Sequence, residues 1–410
     1  MNPSNPMILQ TGYCTNVHAG RDFAAVIDNL HLFSHRVWSC MHASDSDKTL
    51  GVGLWFSELS AIQALESANL EKLRSTLANL KLAPFTLNGF PQGDFHQKRV
   101  KHQVYLPRWW EASRANYTSQ LIRLLDAILP EGMAGSISTL PIAWGTPQLS
   151  SEQQTLVVKH WMEIAQQLDR LKQNTGRHIV LAVEPEPGCI LTDSASFRSF
   201  YLDRFLAALP SREDRRIAQD HITLCHDVCH AAVMFEDQSK EIQQSIDAGI
   251  RIGKVQVSSA VAIDWQKLDR EQREASWSQL AGFVEERYLH QTHIETSNGD
   301  RLLVEDLPDA IASCGGTPPS GGKWRIHFHV PIYLPSLGAL DSTQSEISRC
   351  WQVLAPHVGK ESFPTGHFEV ETYAWTVLPK ELQVSELSKG IAKEMQWFES
   401  MISQPLVSLR

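Results

Sequence analysis

The strongest constraint on the fold is an alternation of short apolar segments with longer amphipathic segments along most of the sequence. Several of the short segments are continuously apolar, which is typical of parallel strands that are covered on both faces. Nine short segments are predicted to be strands: Leu9–Thr15, Leu50–Phe56, Ala83–Asn88, Gly135–Leu140, His178–Glu184, Ile222–Asp227, Ile252–Ser258, Trp324–Val330 and His367–Thr372. The alternation therefore predicts an α/β protein with a parallel sheet and a coat of helices.

The segments between these strands carry apolar residues at helical spacing, most clearly over residues 60–82, 116–129 and 156–172. Eight strand–helix units close a (β/α)8 TIM barrel, so one of the nine predicted strands is surplus. The candidates for the surplus strand are Leu50–Phe56 and Trp324–Val330, and the pattern favours neither.

We predict a single TIM-barrel domain over residues 1–410, with an insertion at about 260–323 before the last strands. The insertion contains a charged helical segment, Trp265–Glu286. It also contains the tract CGGTPPSGGK, whose glycine, proline and serine content is typical of a loop.

Composition excludes several classes of protein. With 42% hydrophobic and 20% charged residues, the chain is too apolar to be largely disordered. Its net charge of −9 argues against a nucleic-acid partner, because phosphate contacts need a basic face. No apolar run approaches the roughly 18 residues that a membrane-spanning helix needs.

Features of the termini and cysteines predict the cellular compartment. The N-terminal sequence MNPSNPMILQTGY lacks the basic and apolar regions of a signal peptide. Seven scattered cysteines without a CxxC pair fit a reducing environment better than a disulfide framework. We expect a cytoplasmic protein whose partner is a small-molecule substrate.

Acidic residues and histidines stand at the ends of several predicted strands. Glu184 follows an apolar strand and precedes Pro185, which disfavours continuation of that strand. Asp227 ends another strand, His230 follows three residues later, and Glu371 lies near the end of the last strand. Because the carboxyl ends of barrel strands converge at one mouth, these distant residues can meet there.

Carboxylates gathered at an apolar barrel mouth are costly unless they are paired or bound to a cation. A divalent metal is the economical explanation. Carboxylates mixed with imidazoles suit Mn²⁺, Zn²⁺, Co²⁺ or Mg²⁺, and the spacing does not choose among them. His327 and His329 alternate on one face of a predicted strand and offer further imidazoles.

A second group of polar residues lies near the exits of the first strands. Asn16 and His18 follow the first strand, and Asn88 and His96 lie in the glycine- and proline-containing segment TLNGFPQGDFH. Such loops bring the backbone close to a ligand, while asparagine and histidine supply hydrogen bonds. These residues are therefore predicted to bind substrate.

Several segments together resemble the bacterial EboE family, which is known as "metabolite traffic protein". They are GYCTNVH, NGFPQGDFH, SISTLP, VEPEPG, HDVCH, VQVSSA, YLHQTH, HFHVP and EVETYAWTVLP, and the resemblance runs over almost the whole chain. That family is similar to the xylose isomerase-like TIM barrels, which include sugar isomerases, sugar epimerases and endonuclease IV. In that superfamily a strand-end Glu, an Asp-x-x-His, a later His and a final Glu bind one or more divalent metals.

The resemblance implies a ligand set in this chain. The first Glu corresponds to Glu184, the Asp-x-x-His to Asp227 with His230, and the final Glu to Glu371. The later His is a departure, because the expected segment KVQVSSA contains Gln256 and no histidine. Either Gln256 replaces the imidazole or His329 supplies it from the next predicted strand, and we favour His329.

The resemblance implies a metal-dependent isomerase or epimerase that acts on a sugar or polyhydroxylated metabolite, within the biosynthesis or traffic of a specialised metabolite. Glu184, Asp227, His329 and Glu371 are expected to hold the metal, and Glu184 or Glu371 to move the proton. His230 is expected to orient a substrate hydroxyl or to donate to the developing enediolate. The expected pocket residues are Asn16, His18, Asn88, His96, Gln256, His290 and His327.

Two alternative functions stay open. One is a phosphoester hydrolase that resembles endonuclease IV, in which His290, His293 and His327 would build a cluster of two or three metals. The other is a non-catalytic barrel that binds a metabolite in a pocket near Trp109–Trp110 and Trp375.

Overall fold

The computed structural model describes residues 9–406, apart from residues 43, 44, 46 and 146–148. Residues 1–8 lie outside the described residues. They form most of the N-terminal segment that was predicted to lack the features of a signal peptide. Within the described part of the chain, no helix is both long and apolar enough to cross a membrane.

Eight parallel strands close a barrel, which confirms the predicted fold class. They are β1 (Gln10–Cys14), β2 (Leu50–Trp55), β3 (Leu82–Asn88), β4 (Gly135–Thr139), β5 (Ile179–Val183), β6 (Ile222–Asp227), β7 (Ile252–Val257) and, last in the chain, β14 (His367–Val370). The strands follow chain order around the barrel, and β14 pairs with both β7 and β1.

Helices lie between the strands along the chain. They are α1 (Phe23–Asn29), α2 (His35–His42), α3 (Glu58–Ala64), α4 (Ser67–Asn79), α5 (Ala112–Ile128), α6 (Ser151–Thr175), α7 (Ser194–Ser199), α8 (Arg212–His221), α9 (Val228–Val233), α10 (Gln238–Asp247), α11 (Arg270–Ala281), α12 (Leu307–Ser313), α13 (Gln344–Leu354) and α14 (Leu387–Ile402). The single helix predicted over residues 60–82 is in fact two helices, α3 and α4. The Ser57 side chain caps the first of them by accepting the Ser60 N–H at 3.1 Å.

A second sheet of six antiparallel-paired strands lies between β7 and β14 in the sequence. Its strands are β8 (Val261–Asp264), β9 (Thr292–Glu295), β10 (Arg301–Val304), β11 (Lys323–Ile326), β12 (Ser336–Leu337) and β13 (Leu340–Ser342). The sheet therefore continues past residue 323, where the predicted insertion ends. Its last two strands have only two and three residues, which is too short for a visible alternation of polar and apolar positions.

The surplus strand is the one predicted over Trp324–Val330. Its first half belongs to β11 of the second sheet, whereas the strand predicted over Leu50–Phe56 is part of the barrel. The chain leaves the β11 ladder after Ile326, and the Val330 N–H donates to the Ser259 carbonyl at 3.0 Å. This connection carries His327 and His329 from the second sheet to the mouth of the barrel.

A buried ion pair fills the barrel interior below the mouth. Lys254 Nζ lies 2.6 Å from Glu369 Oε2, and both side chains are fully buried. Lys254 Nζ also donates to Asn88 Oδ1 at 2.9 Å and to Ser138 Oγ at 3.2 Å. A Cβ atom at Gly53 would lie 1.3 Å from Glu369 Oε1, so β2 needs glycine there to admit the carboxylate.

Glu394 on α14 forms hydrogen bonds with two chain segments, one that follows β11 and one that follows β14. Its carboxylate accepts hydrogen bonds from Ile332 N at 3.1 Å, Thr372 Oγ1 at 2.6 Å and Trp375 Nε1 at 2.9 Å. Burial raises the pKa of Glu394 to about 7. Glu394 therefore keeps its proton to a higher pH in the folded protein than in the unfolded chain.

Glu394 is expected to make the protein less stable as the pH rises from about 4.5 to about 7, by up to about 3 kcal/mol. The sign follows because the folded state binds more protons than the unfolded state in this window. Glu394→Gln should flatten the pH dependence of the free energy of unfolding, measured by urea denaturation. The matched control is Glu381→Gln, at an exposed position, which should leave the wild-type slope. Equal slopes in wild type and Glu394→Gln would contradict the assignment.

Candidate metal centre

Three carboxylates from distant parts of the chain meet at the barrel mouth. Glu184 follows β5, Asp227 ends β6 and Glu371 follows β14, and one oxygen of each lies within 4.8 Å of the other two. The backbone holds two of them in place, because Glu184 N donates to Thr139 O at 3.0 Å and Glu371 N donates to Val257 O at 3.0 Å. The ends of the parallel strands therefore fix the relative positions of these side chains.

The environment of these carboxylates disfavours negative charge. Burial raises the pKa of Glu184 well above its usual range, and the nearby carboxylates of Glu371 and Asp227 raise it further. Burial likewise raises the pKa of Glu371 to about 8, with Glu369 and Asp227 as further causes. A cation among the three carboxylates would relieve both the burial cost and the mutual repulsion.

His329 lies beside Asp227 and has an imidazole nitrogen with a free lone pair. Its Nδ1 lies 2.8 Å from the backbone carbonyl oxygen of Glu371, which can only accept, so Nδ1 carries the proton. The Nε2 atom of His329 is buried and has no hydrogen-bond partner. One ligand atom from each of His329, Asp227 and His230 lies within 4.8 Å of the other two. A backbone acceptor on one ring nitrogen and a free lone pair on the other is the usual arrangement of a metal-ligating histidine.

The other donors are consistent with a divalent metal. Asp227 Oδ1 accepts from His230 N at 2.8 Å and Ser258 Oγ at 2.9 Å, while its Oδ2 is buried without a partner. Gln256 instead donates its Nε2 to Asn88 Oδ1 at 3.0 Å, and its Oε1 has no partner. Buried orphan acceptors of this kind are rare unless a ligand, ion or water satisfies them. The residues present therefore fit a divalent cation.

Asn16 and Asn88, which were predicted to bind substrate, donate hydrogen bonds to carboxylates at the mouth and just below it. Asn16 Nδ2 donates to Glu371 Oε1 at 2.8 Å, and Asn88 Nδ2 donates to Glu369 Oε1 at 3.0 Å. His96 supports the first of these contacts, because its Nε2 lies 2.8 Å from the Asn16 carbonyl oxygen. Asn16 thus orients a carboxylate at the mouth, and Asn88, the last residue of β3, orients one in the barrel interior below it.

The remaining predicted pocket residues divide into two groups. Asn16, Asn88 and His327 line the cavity above the carboxylates, whereas His18, His96, Gln256 and His290 do not. His18 stacks on Phe33 with ring centroids 4.4 Å apart. His290 binds Glu285 through Nε2 at 2.8 Å. Both of these imidazoles are held by neighbours outside the cavity.

Glu186 was not predicted to be a site residue, although it lies two residues after Glu184 in the segment VEPEPG. Glu186 lines the cavity and accepts from Tyr105 Oη at 2.6 Å and from Gln291 Nε2 at 3.1 Å. The repeated Glu-Pro pair was the available signal. Gln291 belongs to the second sheet region, and no sequence pattern placed it near the barrel mouth.

The cavity has a polar floor and an aromatic wall. It encloses about 620 Å³ including its opening to solvent, and its aromatic lining residues are Phe90, Phe95, Tyr105, Tyr288 and Tyr373. The tryptophans considered for a carrier pocket lie elsewhere. Trp109 packs on Trp161 with ring centroids 6.2 Å apart, and Trp375 Nε1 donates to Glu394.

The closed barrel is similar to that of a solved structure. No family model and no curated protein matches the sequence. Among solved structures, the chain is similar to a xylose isomerase-like TIM barrel protein from Mycobacterium smegmatis in complex with magnesium, with a TM-score of 0.51 and 10% identity over 96% of this chain and 97% of that chain. This likeness shows that the fold is that of the xylose isomerase-like TIM barrels.

Two further similar structures have lower scores. A 3-keto-D-glucoside 4-epimerase from E. coli has a TM-score of 0.46 and 9% identity over 96% of this chain and 99% of that chain. An AP endonuclease of family 2 from Brucella melitensis has a TM-score of 0.37 and 14% identity over 60% of this chain and 78% of that chain.

Proposed function

We propose that the protein is a divalent-metal-dependent isomerase or epimerase that acts on a sugar or another polyhydroxylated small metabolite. One observation carries the proposal: Glu184, Asp227 and Glu371 converge at the barrel mouth, and His329 Nε2 is buried without a partner beside Asp227. We propose that these four residues hold the metal. The donor set is rich in carboxylate oxygen and suits Mn²⁺, Mg²⁺, Co²⁺ or Zn²⁺.

A bound divalent metal would polarise substrate oxygens and acidify the neighbouring C–H bond. The chain's own residues supply the proton transfer. Both Glu184 and Glu371 lie at the barrel mouth, so either carboxylate is placed to take up and return a proton. We propose that one of these two glutamates removes the proton from the acidified C–H bond. The proton is then returned either to the opposite face of that carbon or to the neighbouring carbon.

Asn16 orients the reacting carboxylate. Its Nδ2 donates to Glu371 Oε1 at 2.8 Å, which directs that oxygen, while its own Oδ1 is buried without a partner. We propose that this free Oδ1 accepts a hydrogen bond from a substrate hydroxyl. The aromatic wall above, including Tyr288 and Tyr373, limits the access of water to the reacting atoms.

His230 has less freedom than its predicted role requires. Its Nδ1 lies 2.9 Å from the Pro185 carbonyl oxygen, and its Nε2 lies 3.2 Å from His327 Nε2. A direct contact between His230 and a substrate hydroxyl stays a prediction, and we leave His230 out of the proton transfer.

The biological context rests on the sequence resemblance. The EboE-like segments, above all the C-terminal EVETYAWTVLP, support a role in making or moving a specialised metabolite. The Glu371 of that segment is also one of the proposed ligands. We therefore propose that the enzyme belongs to the EboE family and modifies an intermediate of such a route.

Exchange of substrate hydrogen with solvent tests the proposed reaction. Manganese-loaded protein is incubated in D₂O with a panel of aldoses, ketoses and keto-glycosides, and deuterium incorporation is followed by NMR. We expect deuterium at the carbon next to a carbonyl group in at least one compound. Glu371→Gln should lose this exchange, and Glu131→Gln, at an exposed position, should keep it.

Two other results would favour the alternative functions. Metal-dependent hydrolysis of a phosphate ester without any hydrogen exchange would indicate a phosphoester hydrolase. Binding of a metabolite that is equally tight with and without metal, and without turnover, would indicate a carrier.

A further inference from the structure

The aromatic wall of the cavity differs from the polar floor in what it can bind. Apolar side chains of Pro91, Val104 and Leu289 line the cavity together with this wall. The wall's own polar groups are tyrosine hydroxyls, and that of Tyr105 already donates to Glu186 Oε1 at 2.6 Å. A sugar hydroxyl placed against this surface would lose its water partners without replacing them, which costs free energy. The wall therefore suits an apolar group better than a hydroxylated one.

The cationic side chain at the cavity already has an anionic partner. Lys101 is the one lysine or arginine among the described residues that line the cavity. Its ammonium group forms an ion pair with Asp306 Oδ2, and the two side chains are only 17% and 11% exposed. Asp306 is itself held in place, because its Oδ1 accepts from His290 N at 3.1 Å and from Leu307 N at 3.0 Å. A phosphate or carboxylate would have to displace this partner, so the group that meets the wall is expected to be uncharged.

Contacts between three separate chain segments hold the aromatic wall in shape. Phe95 follows β3, and its ring centroid lies 6.3 Å from that of Tyr288 in the inserted segment. The Tyr288 ring centroid lies 5.1 Å from that of Tyr373, which follows β14. The Val100 N–H also donates to the Arg287 carbonyl oxygen at 2.9 Å, which joins the first two segments. A preformed surface of this kind lowers the entropy cost of binding a ligand.

The cavity has room for an apolar group beside a sugar. Its volume of about 620 Å³, including the opening to solvent, lies within the range of roughly 300–1,000 Å³ that is typical of sites for drug-sized ligands. We propose that the substrate is a conjugate, in which a polyhydroxylated part binds at the carboxylates of the floor and an uncharged aryl or alkyl group packs against the aromatic wall. This inference rests on the proposed function, because it takes the polyhydroxylated part to be the one that reacts.

Matched glycosides test the aromatic wall in the wild-type protein. The methyl, hexyl and phenyl β-D-glucosides, β-D-galactosides and β-D-xylosides are titrated in a buffer with Mg²⁺, and dissociation constants are measured by saturation-transfer NMR. In at least one sugar series, we expect the hexyl or phenyl member to bind at least about 10-fold more tightly than the methyl member, because each buried methylene adds to the affinity. Tighter binding of phenyl than of hexyl members identifies an aryl group, and the reverse identifies an alkyl group. Equal affinities within every series, or no binding in any of them, would overturn the inference.

Phe90→Ala locates the preference for an apolar group. Phe90 lines the cavity and its ring centroid lies 5.6 Å from that of Tyr105, so its loss should lower the affinity ratio of apolar to methyl members by about 3–10-fold. The ratio compares two ligands on one variant, so general damage to the fold affects both and leaves it unchanged. The matched control is Leu302→Ala, at a side chain on β10 that is 58% exposed, which should keep the wild-type ratio. The same ratio in Phe90→Ala and wild type would show that the apolar group binds elsewhere.

Hydrogen exchange separates this inference from the proposed function. The methyl and phenyl forms of one keto-glycoside are compared in D₂O, and deuterium incorporation is followed by NMR. Tighter binding of apolar members without exchange in either compound supports the assignment of the wall and contradicts the proposed reaction. Exchange with the same kcat/KM in both forms supports the reaction and contradicts the assignment of the wall.

Discussion

Replacement of Lys254 by methionine is expected to lower the free energy of unfolding by about 3–5 kcal/mol, because it leaves a buried charge without its partner. Lys254 Nζ lies 2.6 Å from Glu369 Oε2, and neither side chain is exposed. Glu369 would keep its hydrogen bond from Asn88 but lose its only described ion-pair partner. Urea denaturation measures the change.

Two further variants separate the charge effect from general damage. Lys254→Met with Glu369→Gln should recover part of the lost stability, because the second substitution removes the uncompensated charge. Lys267→Met, at a side chain that is 81% exposed, should change stability by no more than about 1 kcal/mol. A Lys254→Met protein as stable as wild type would contradict a structural role for the buried pair.

Replacement of Glu371 by glutamine is expected to lower the affinity for Mn²⁺ at least about 100-fold. Loss of a residue that merely orients a ligand costs about 10–100-fold in metal affinity, and Glu371 is proposed to be a ligand itself. Electron paramagnetic resonance of free Mn²⁺ measures the dissociation constant directly. Asn16→Ala should give a smaller loss, because Asn16 only orients Glu371 through its 2.8 Å hydrogen bond.

The control for this experiment is Glu131→Gln, which removes an exposed carboxylate between α5 and the start of β4. It should bind Mn²⁺ as wild type does. If Glu371→Gln also keeps the wild-type affinity, Glu371 is not a ligand and the proposed centre must be reassigned.

The barrel could be predicted because its strands are covered on both faces and therefore read as apolar runs. The strand Ile179–Val183 is the clearest case, since all five of its residues are buried. The surplus strand could not be chosen from the sequence, because Leu50–Phe56 and Trp324–Val330 both have the length and composition of a strand. Only the antiparallel pairing of Lys323–Ile326 with Val261–Asp264 places that segment in the second sheet.

The strand-end carboxylates could be predicted to meet because barrel topology brings the carboxyl ends of parallel strands together. Glu184, Asp227 and Glu371 do lie within reach of one another, and their role as ligands stays a prediction. The contribution of the inserted segment was harder to foresee. Whether His327 or Gln291 reaches the mouth depends on where the second sheet packs, and no local spacing encodes that position.

The buried partners of the site were also outside the reach of sequence patterns. Lys254 stands in an apolar strand, where a charged residue more often faces solvent. Its inward orientation depends on Glu369 from β14, which is 115 residues later in the numbering (369 − 254). The orientation of each residue in such a long-range pair is defined only once the barrel has closed.

Anomalous diffraction from crystals of the 410-residue protein grown with Mn²⁺ would locate the metal. We expect a peak about 2.0–2.3 Å from carboxylate oxygens of Glu184, Asp227 and Glu371 and from His329 Nε2. A map of a metal-saturated crystal with no peak among these four residues would contradict the proposed metal centre.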